Sequence, residues 1–269
     1  MNLIKREVIA LFSAVAGLCC LGADYITCVE EAEREIAKGN YELAGEWLKE
    51  AMTTEPSNPS NVLLLSNLGM VQFYAGNDSL ALGTLSQARA MAPGSVTILA
   101  NRARVLDHMG RRQDAMADLS LAIATDSTYA PAYYERGTLR LDSGDFAGAE
   151  ADMARHRALR PKSRQSLLAL ALIYSSTGRG RDAVAAYTEL LKGKPDADLL
   201  AARAMCRMDL GDLPEAAEDI QEGLKLAPEE PGLYLCRARL NRMRYREADA
   251  EADERRAEEL MRGTPFQKR

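Results

Sequence analysis

Three tracks of small residues run through this chain at one shared set of intervals, and that regularity restricts the fold more than any other feature of the sequence. The first track is Ala44, Ala81, Ala115, Ala149, Ala183, Ala216 and Ala248, with spacings of 37, 34, 34, 34, 33 and 32 residues. Ala32, Gly69, Ala103, Gly137, Ala171, Ala204 and Cys236 repeat those spacings, and so do Gly39, Gly76, Gly110, Gly144, Gly178 and Gly211, with Met243 in the final place. A period of this length marks stacked repeats, each one a supersecondary unit that buries its apolar face only against its neighbours.

The place of each track within the unit gives its physical role. The first small residue of a unit stands about halfway along a helical stretch such as 132–141, where a missing side chain lets a second helix approach closely. The Gly seven residues later closes that helix, because glycine takes a left-handed C-terminal conformation without steric cost. Asn or Asp often follows, as in Gly39-Asn40 and Gly144-Asp145, which suits a tight turn and the start of another helix. Five residues beyond the Gly comes the Ala track, on the second helix and facing the first. Pro56, Pro93, Ser127, Pro161, Pro195 and Pro228 fall twelve residues further on, and proline ends a helix because it cannot continue the interior hydrogen bonding. Each unit therefore reads as two antiparallel helices joined by a short turn.

Small residue, Gly, Ala and Pro at these offsets in a period of roughly 34 residues resemble the tetratricopeptide repeat family. The stretch 130–163 carries the resemblance through Tyr133, Gly137, Gly144, Ala149 and Pro161, with His156 as a departure at the second small-residue place. Ala51, Ala88 and Ala122 fill that place in the first three units, and Leu190 and Gly223 hold it later. The resemblance implies an all-α fold, a right-handed superhelical solenoid of antiparallel helix pairs with six to seven repeats. Units are expected at 25–58, 62–95, 96–129, 130–163, 164–197 and 198–230, with a degenerate seventh at 231–262 and a flexible tail over 263–269. Pro59, Ser60 and Asn61 should make a local irregularity between the first two units. The seventh lacks the closing Gly and the Pro, and its charged second helix suits a solvent-facing cap, which a repeat array needs at its end.

Composition excludes some classes of function. Aromatic residues make up only 6% of the chain, so strands rich in them are not expected, and the 47% of hydrophobic residues point to Ala- and Leu-lined helix contacts. A net charge of −5 argues against a phosphate-neutralising surface, so no nucleic-acid partner is expected. Lys5 and Arg6 precede an apolar run from Val8 to Ala23 that ends in Leu21-Gly22-Ala23, the layout of a secretory signal. Its sixteen residues fall short of the about 20 that a membrane span needs, so residues 1–23 read as a cleaved signal, with an N-terminal anchor as the alternative. A lipoprotein signal fits poorly, because Leu18 precedes Cys19 and Cys19 precedes Cys20. The expected location is outside the cytoplasm, in the periplasm or cell envelope. Cys28, Cys206 and Cys236 remain in the mature chain and read as small buried thiols, with a Cys206–Cys236 bridge as the alternative if their helices are neighbours.

Chemistry-bearing motifs are scarce. His108 and His156 are far apart and no Cys/His cluster has zinc spacing, so neither a metal nor another cofactor is expected. Phosphate-binding loops and nucleophile elbows are absent from the sequence, and the carboxylates lie mostly in runs such as Glu30-Glu31 that read as solvated helix faces. An enzyme is not expected. The Arg-rich stretch Arg237, Arg239, Arg242, Arg244 and Arg246 reads as an exposed helix balanced by the acids after it, with an acidic partner as the alternative.

The family resemblance places function on the concave surface lined by the first helix of each unit. Carried onto this sequence, its offsets give Ser66, Met70 and Phe73, then Ala100, Arg104 and Asp107, then Tyr134, Thr138 and Leu141. The later units give Leu168, Leu172 and Ser175, then Ala201, Met205 and Met208. One branch of the family grips a chaperone's terminal carboxylate with Lys and Asn at two of these offsets, and here only Arg104 could serve. The groove is largely apolar and contains Met, which adapts to its contacts, so it suits a partner helix or an extended apolar peptide. The rival reading is a structural solenoid that assembles with itself; the sequence leaves the oligomeric state and the partner's identity open.

Overall fold

The computed structural model describes residues 23–263, which form fourteen helices and no strand among the described residues. The expected signal and the tail beyond Gly263 lie outside the described residues. The chain divides into two compact units, one up to Leu139 and one from Arg140. Unit 1 contains the pairs α1 (Ala23–Lys38) with α2 (Tyr41–Thr54), α3 (Asn61–Tyr74) with α4 (Asp78–Met91) and α5 (Val96–His108) with α6 (Arg112–Thr125). The division falls inside α7 (Ala130–Asp142). Unit 2 continues with α8 (Phe146–Leu159), α9 (Arg164–Ser176) with α10 (Gly180–Leu191), α11 (Ala197–Leu210) with α12 (Leu213–Leu226) and α13 (Pro231–Met243) with α14 (Glu247–Gly263).

The turn inside each pair repeats one hydrogen-bond pattern. Asn40 N donates to Glu35 O at 2.9 Å, Asn77 N to Gln72 O at 2.9 Å and Arg111 N to Leu106 O at 2.8 Å. Unit 2 repeats it with Arg179 N to Tyr174 O at 2.8 Å and Asp212 N to Arg207 O at 2.9 Å. The residue before each donor is a glycine in the left-handed region, as at Gly76 with φ +82° and Gly211 with φ +85°. This is the geometry that satisfies the last carbonyls of a helix, and it reverses the chain within three residues.

The seventh pair corrects the sequence register by two residues. Arg246 N donates to Asn241 O at 2.8 Å, and the left-handed residue before it is Tyr245, with φ +59°. The closing place is therefore Tyr245, not Met243. Ala238 and Ala250 are the buried small residues at these two places, while Cys236 is half-buried and Ala248 is exposed. Counting small residues along the sequence picked the nearer Cys and Ala; burial of one helix on another picks the pair that faces inward.

The tracks explain the packing. Ala44, Ala81 and Ala115 in unit 1 and Ala149, Ala183 and Ala216 in unit 2 are fully buried. At Gly69 an added Cβ would lie 2.6 Å from Leu85 Cγ, so only glycine lets α3 and α4 approach this closely. Unit 1 buries Tyr25, Leu48, Leu64 and Leu68 around one core cluster and Leu99, Leu106 and Leu119 around another. The connection from Glu55 to Ser60 is the irregularity expected near Pro59, and Asn61 spans it by donating to Glu55 O at 2.8 Å.

A tie between paired helices was not read from the sequence. Asp118 accepts from Arg102 Nε and Nη2, each at 2.7 Å; Asp219 accepts from Arg203 Nη2 at 2.6 Å and lies 2.7 Å from Arg207. Asp152 pairs with Arg140 at 2.8 Å, and Asp253 accepts from Arg237 Nε at 3.0 Å. All four aspartates are buried and each stands three residues after its buried Ala, at 118, 152, 219 and 253. Charged hydrogen bonds of this kind hold a buried carboxylate that would otherwise be costly to desolvate.

Candidate functional site

The groove offsets lie on the first helix of each pair, and the two units expose them differently. In unit 1, Ser66, Met70 and Ala100 are each only 2% exposed. Asn101 on α5 donates to Ser66 Oγ on α3 at 3.1 Å, and Met70 packs with Ala81, Leu85 and Val105. Met70 is thus a core residue, contrary to the groove expectation; its helical phase turns it towards α4 and α5. Phe73 is half-buried, edge-on to the His108 ring with centroids 5.1 Å apart, and His108 Nδ1 lies 2.8 Å from Asp78 Oδ2.

The open part of unit 1 is a crevice of about 150 Å³ lined by Arg104, Asp107, Tyr134, Glu135 and Thr138, with Ala103, Leu119 and Leu139 at its base. Arg104 is ion-paired with Glu135, and Asp107 lies 3.7 Å from Arg112. Burial pushes the Tyr134 phenol above its ordinary range. The crevice brings together the expected Arg104, Asp107 and Tyr134, with the Arg104–Glu135 ion pair beside largely apolar walls.

Unit 2 is apolar at the same offsets. Leu168 is 38% exposed, Leu172 44% and, on α13, Leu235 45%. Leu168 and Leu172 face a cavity of about 460 Å³ completed by Tyr187, Leu190, Leu199 and Ala202, with Arg164, Gln165, Asp196 and Asp198 at its rim. Its local cause is the connection between α10 and α11. Helix α10 has 12 residues where α8 and α12 have 14, and Gly193 at φ +96° bends the chain away before Asp196 starts α11. Arg164 Nη1 donates to the helix-end carbonyl of Leu190 at 2.6 Å, and Asp196 Oδ1 accepts from Leu199 N at 3.1 Å.

The remaining expected residues divide. Leu141 is half-buried in unit 2, and Met205 is half-buried with its sulfur 3.6 Å from Arg239 Nη1. Met208 is buried against Ala204, Ile220 and Leu240 and does not line an open face, because three residues on from Met205 the helix has turned it towards α12 and α13. Leu235 was missed; the corrected interval of 34 from Ala201 would have found it. Cys206 and Cys236 are free thiols, so the bridge considered above does not form, and burial pushes both thiols up. The Arg-rich stretch is largely balanced: Arg237 pairs with Asp253, Arg239 with Asp209, and Arg242 with Glu247 and Glu254. Among the described residues no group of three or more His, Cys, Asp or Glu is placed to hold a metal ion, and no helix is long and apolar enough to cross a membrane.

Residues 134–198 and 168–231 match the family model described as tetratricopeptide repeat. Over 120 residues the chain is 32% identical to Tetratricopeptide repeat protein 13 of Homo sapiens, covering 45% of this chain and 14% of that protein. Over 95 residues it is 33% identical to the Hsp70-Hsp90 organizing protein of Triticum aestivum, covering 35% and 16% respectively. The chain thus spans about a seventh of the first of these curated relatives and about a sixth of the second. The crystal structure of a tetratricopeptide repeat protein from Parabacteroides merdae is similar to it with a TM-score of 0.62 and 27% identity, covering 91% of this chain and 96% of that one.

Proposed function

On the premise that the chain is a tetratricopeptide repeat protein and, as such, a protein-interaction scaffold, we propose that it binds an apolar helix or peptide of another protein on the first-helix face of unit 2. One observation carries this reading: Leu168, Leu172 and Leu235 stand exposed at the offsets where Ser66, Met70 and Ala100 are buried in unit 1 and Arg104 and Tyr134 are half-buried. Leu168 and Leu172, exposed on the cavity wall, lose water favourably when a partner covers them, by about 25 cal/mol per Å² of apolar surface. Proteins of this family are in general scaffolds, not enzymes, and the rim of the cavity offers recognition groups in Arg164, Gln165 and Asp198. The Arg104–Glu135 ion pair at the unit 1 crevice would add specificity more than affinity.

The site of action proposed for this scaffold is the cell envelope, on the strength of Lys5, Arg6 and the apolar run from Val8. Affinity capture from the native cell with the tagged full-length chain tests both parts. A partner retained by the wild type and lost by Leu172→Asp, at unchanged helix content, is the expected result; equal retention by Leu172→Asp would sink the groove assignment. A captured chain that begins near Asp24 is expected if it is exported, whereas an intact Met1 on a cytoplasmic chain counts against export.

A further inference from the structure

Tyr245 is 98% exposed and holds the one left-handed backbone position among the described residues that is not a glycine. Six other repeats put glycine at this turn. A side chain there strains the backbone, and at 98% exposure it touches nothing that would offset the strain. Met243 beside it is exposed as well, and Arg246, which follows it, makes no ion pair among the described residues. The turn therefore presents an aromatic knob with a basic neighbour.

The cavity of unit 2 has the complementary character. Leu168, Leu172, Tyr187 and Leu190 give it apolar walls, and Asp196 and Asp198 place carboxylates at its mouth. The single rim cation, Arg164, is turned onto the carbonyl of Leu190. One chain cannot fill its own cavity with its own knob. Short turns reverse the chain between successive helices, so α9, α11 and α13 run in the same direction. The rim residues Arg164, Gln165, Asp196 and Asp198 stand at the starts of α9 and α11, while Tyr245 lies past the end of α13. Thirteen helical residues separate those two edges by about 20 Å.

We infer that Tyr245 of one copy inserts into the unit 2 cavity of a second copy, making a head-to-tail contact between identical chains. The ring takes the place of water against Leu168 and Leu172, its hydroxyl donates to a rim carboxylate, and Arg246 pairs with the remaining one. Knob and cavity are different surfaces of the same unit, so the contact is heterologous and propagates into a ring or a filament. This uses the cavity of the preceding section but needs no other protein, so the purified chain alone reports on it, whatever partner capture shows.

Sedimentation velocity of the purified full-length chain over a concentration series is the test. The wild type is expected to shift to larger species as concentration rises. Tyr245→Gly should weaken that association at least about tenfold while raising the melting temperature, because glycine relieves the left-handed strain; unfolding then cannot account for the loss. Leu168→Glu should abolish association from the cavity side. Each variant keeps the half that the other lacks, so mixing them should restore a dimer and nothing larger. A wild type that stays monomeric throughout, a Tyr245→Gly chain that associates like the wild type, or a mixture that forms no dimer would each overturn the contact.

Discussion

Unit 1 and unit 2 are built from the same repeat, yet their first-helix faces differ: one is closed over Ser66, Met70 and Ala100 and opens only at the crevice beside Arg104 and Tyr134, the other is open around Leu168, Leu172 and Leu235. Repeat register sets which residue stands at an offset but not whether that offset meets solvent. In unit 1, small and polar residues let neighbouring first helices pack and bond, as Asn101 does to Ser66. In unit 2, Leu168 and Leu172 stand exposed at those offsets, and the early end of α10 leaves the cavity beside them unfilled. The difference divides the labour: the shared framework supplies stability in both units, and the open face of unit 2 is left for binding.

The largest effect should come from the shared framework, where the comparison predicts no difference. Asp219→Ala leaves Arg203 and Arg207 without their carboxylate in a partly buried place and should cost about 4 kcal/mol. Asp118→Ala in unit 1, which strips Arg102, should cost about as much, measured by urea denaturation. A unit that tolerated its substitution would break the claim of a common scaffold.

Substitutions at one offset test the contrast itself. Met70→Ala removes a buried side chain and should destabilise by about 3 kcal/mol. Leu172→Ala, at the equivalent place in unit 2, should cost under about 1 kcal/mol, since its side chain is half in water already. Equal losses in thermal denaturation would mean that Leu172 is core and the open face is not a feature of the fold.

Smaller effects sharpen the picture of unit 2. Tyr245→Gly should stabilise by about 1 kcal/mol, whereas tyrosine in place of Gly76 in unit 1 should cost a similar amount, because both positions are left-handed. The mildest effect is acid sensitivity. Burial, then the charge of Arg160, lowers the pKa of His156. The folded state thus favours the neutral imidazole, and the stability this supplies is present above the unfolded value of about 6.5 and is lost as pH falls towards the folded one. Amide protection factors in unit 2, with the intrinsic exchange rate divided out at each pH, should fall on acidification through that range, and His156→Gln should remove the part of the response that its imidazole contributes.

Most of the scaffold was legible in the sequence. Glycine at the turns and alanine at the helix contacts leave few alternatives, because a left-handed turn and a close helix approach each exclude nearly every other side chain. The last repeat misled for the same reason: Tyr245 occupies a glycine's place, so the track appeared to continue at Met243. The buried aspartates were also visible in principle, three residues after Ala115, Ala149, Ala216 and Ala250, with Arg sixteen residues before at 102, 203 and 237. They were passed over because an acidic residue on a helix is ordinarily solvated.

The sequence by itself determined that this chain is a stack of antiparallel helix pairs, since periodic small residues act locally and their spacing survives without any knowledge of neighbours. Only the tertiary structure decided that Met70 and Met208 are core while Leu172 and Leu235 are open, and that a cavity lies between α9, α10 and α11. Exposure at a given offset depends on how closely two helices from different repeats approach, and that distance is set jointly by side chains far apart in the chain and by the length of one connecting turn.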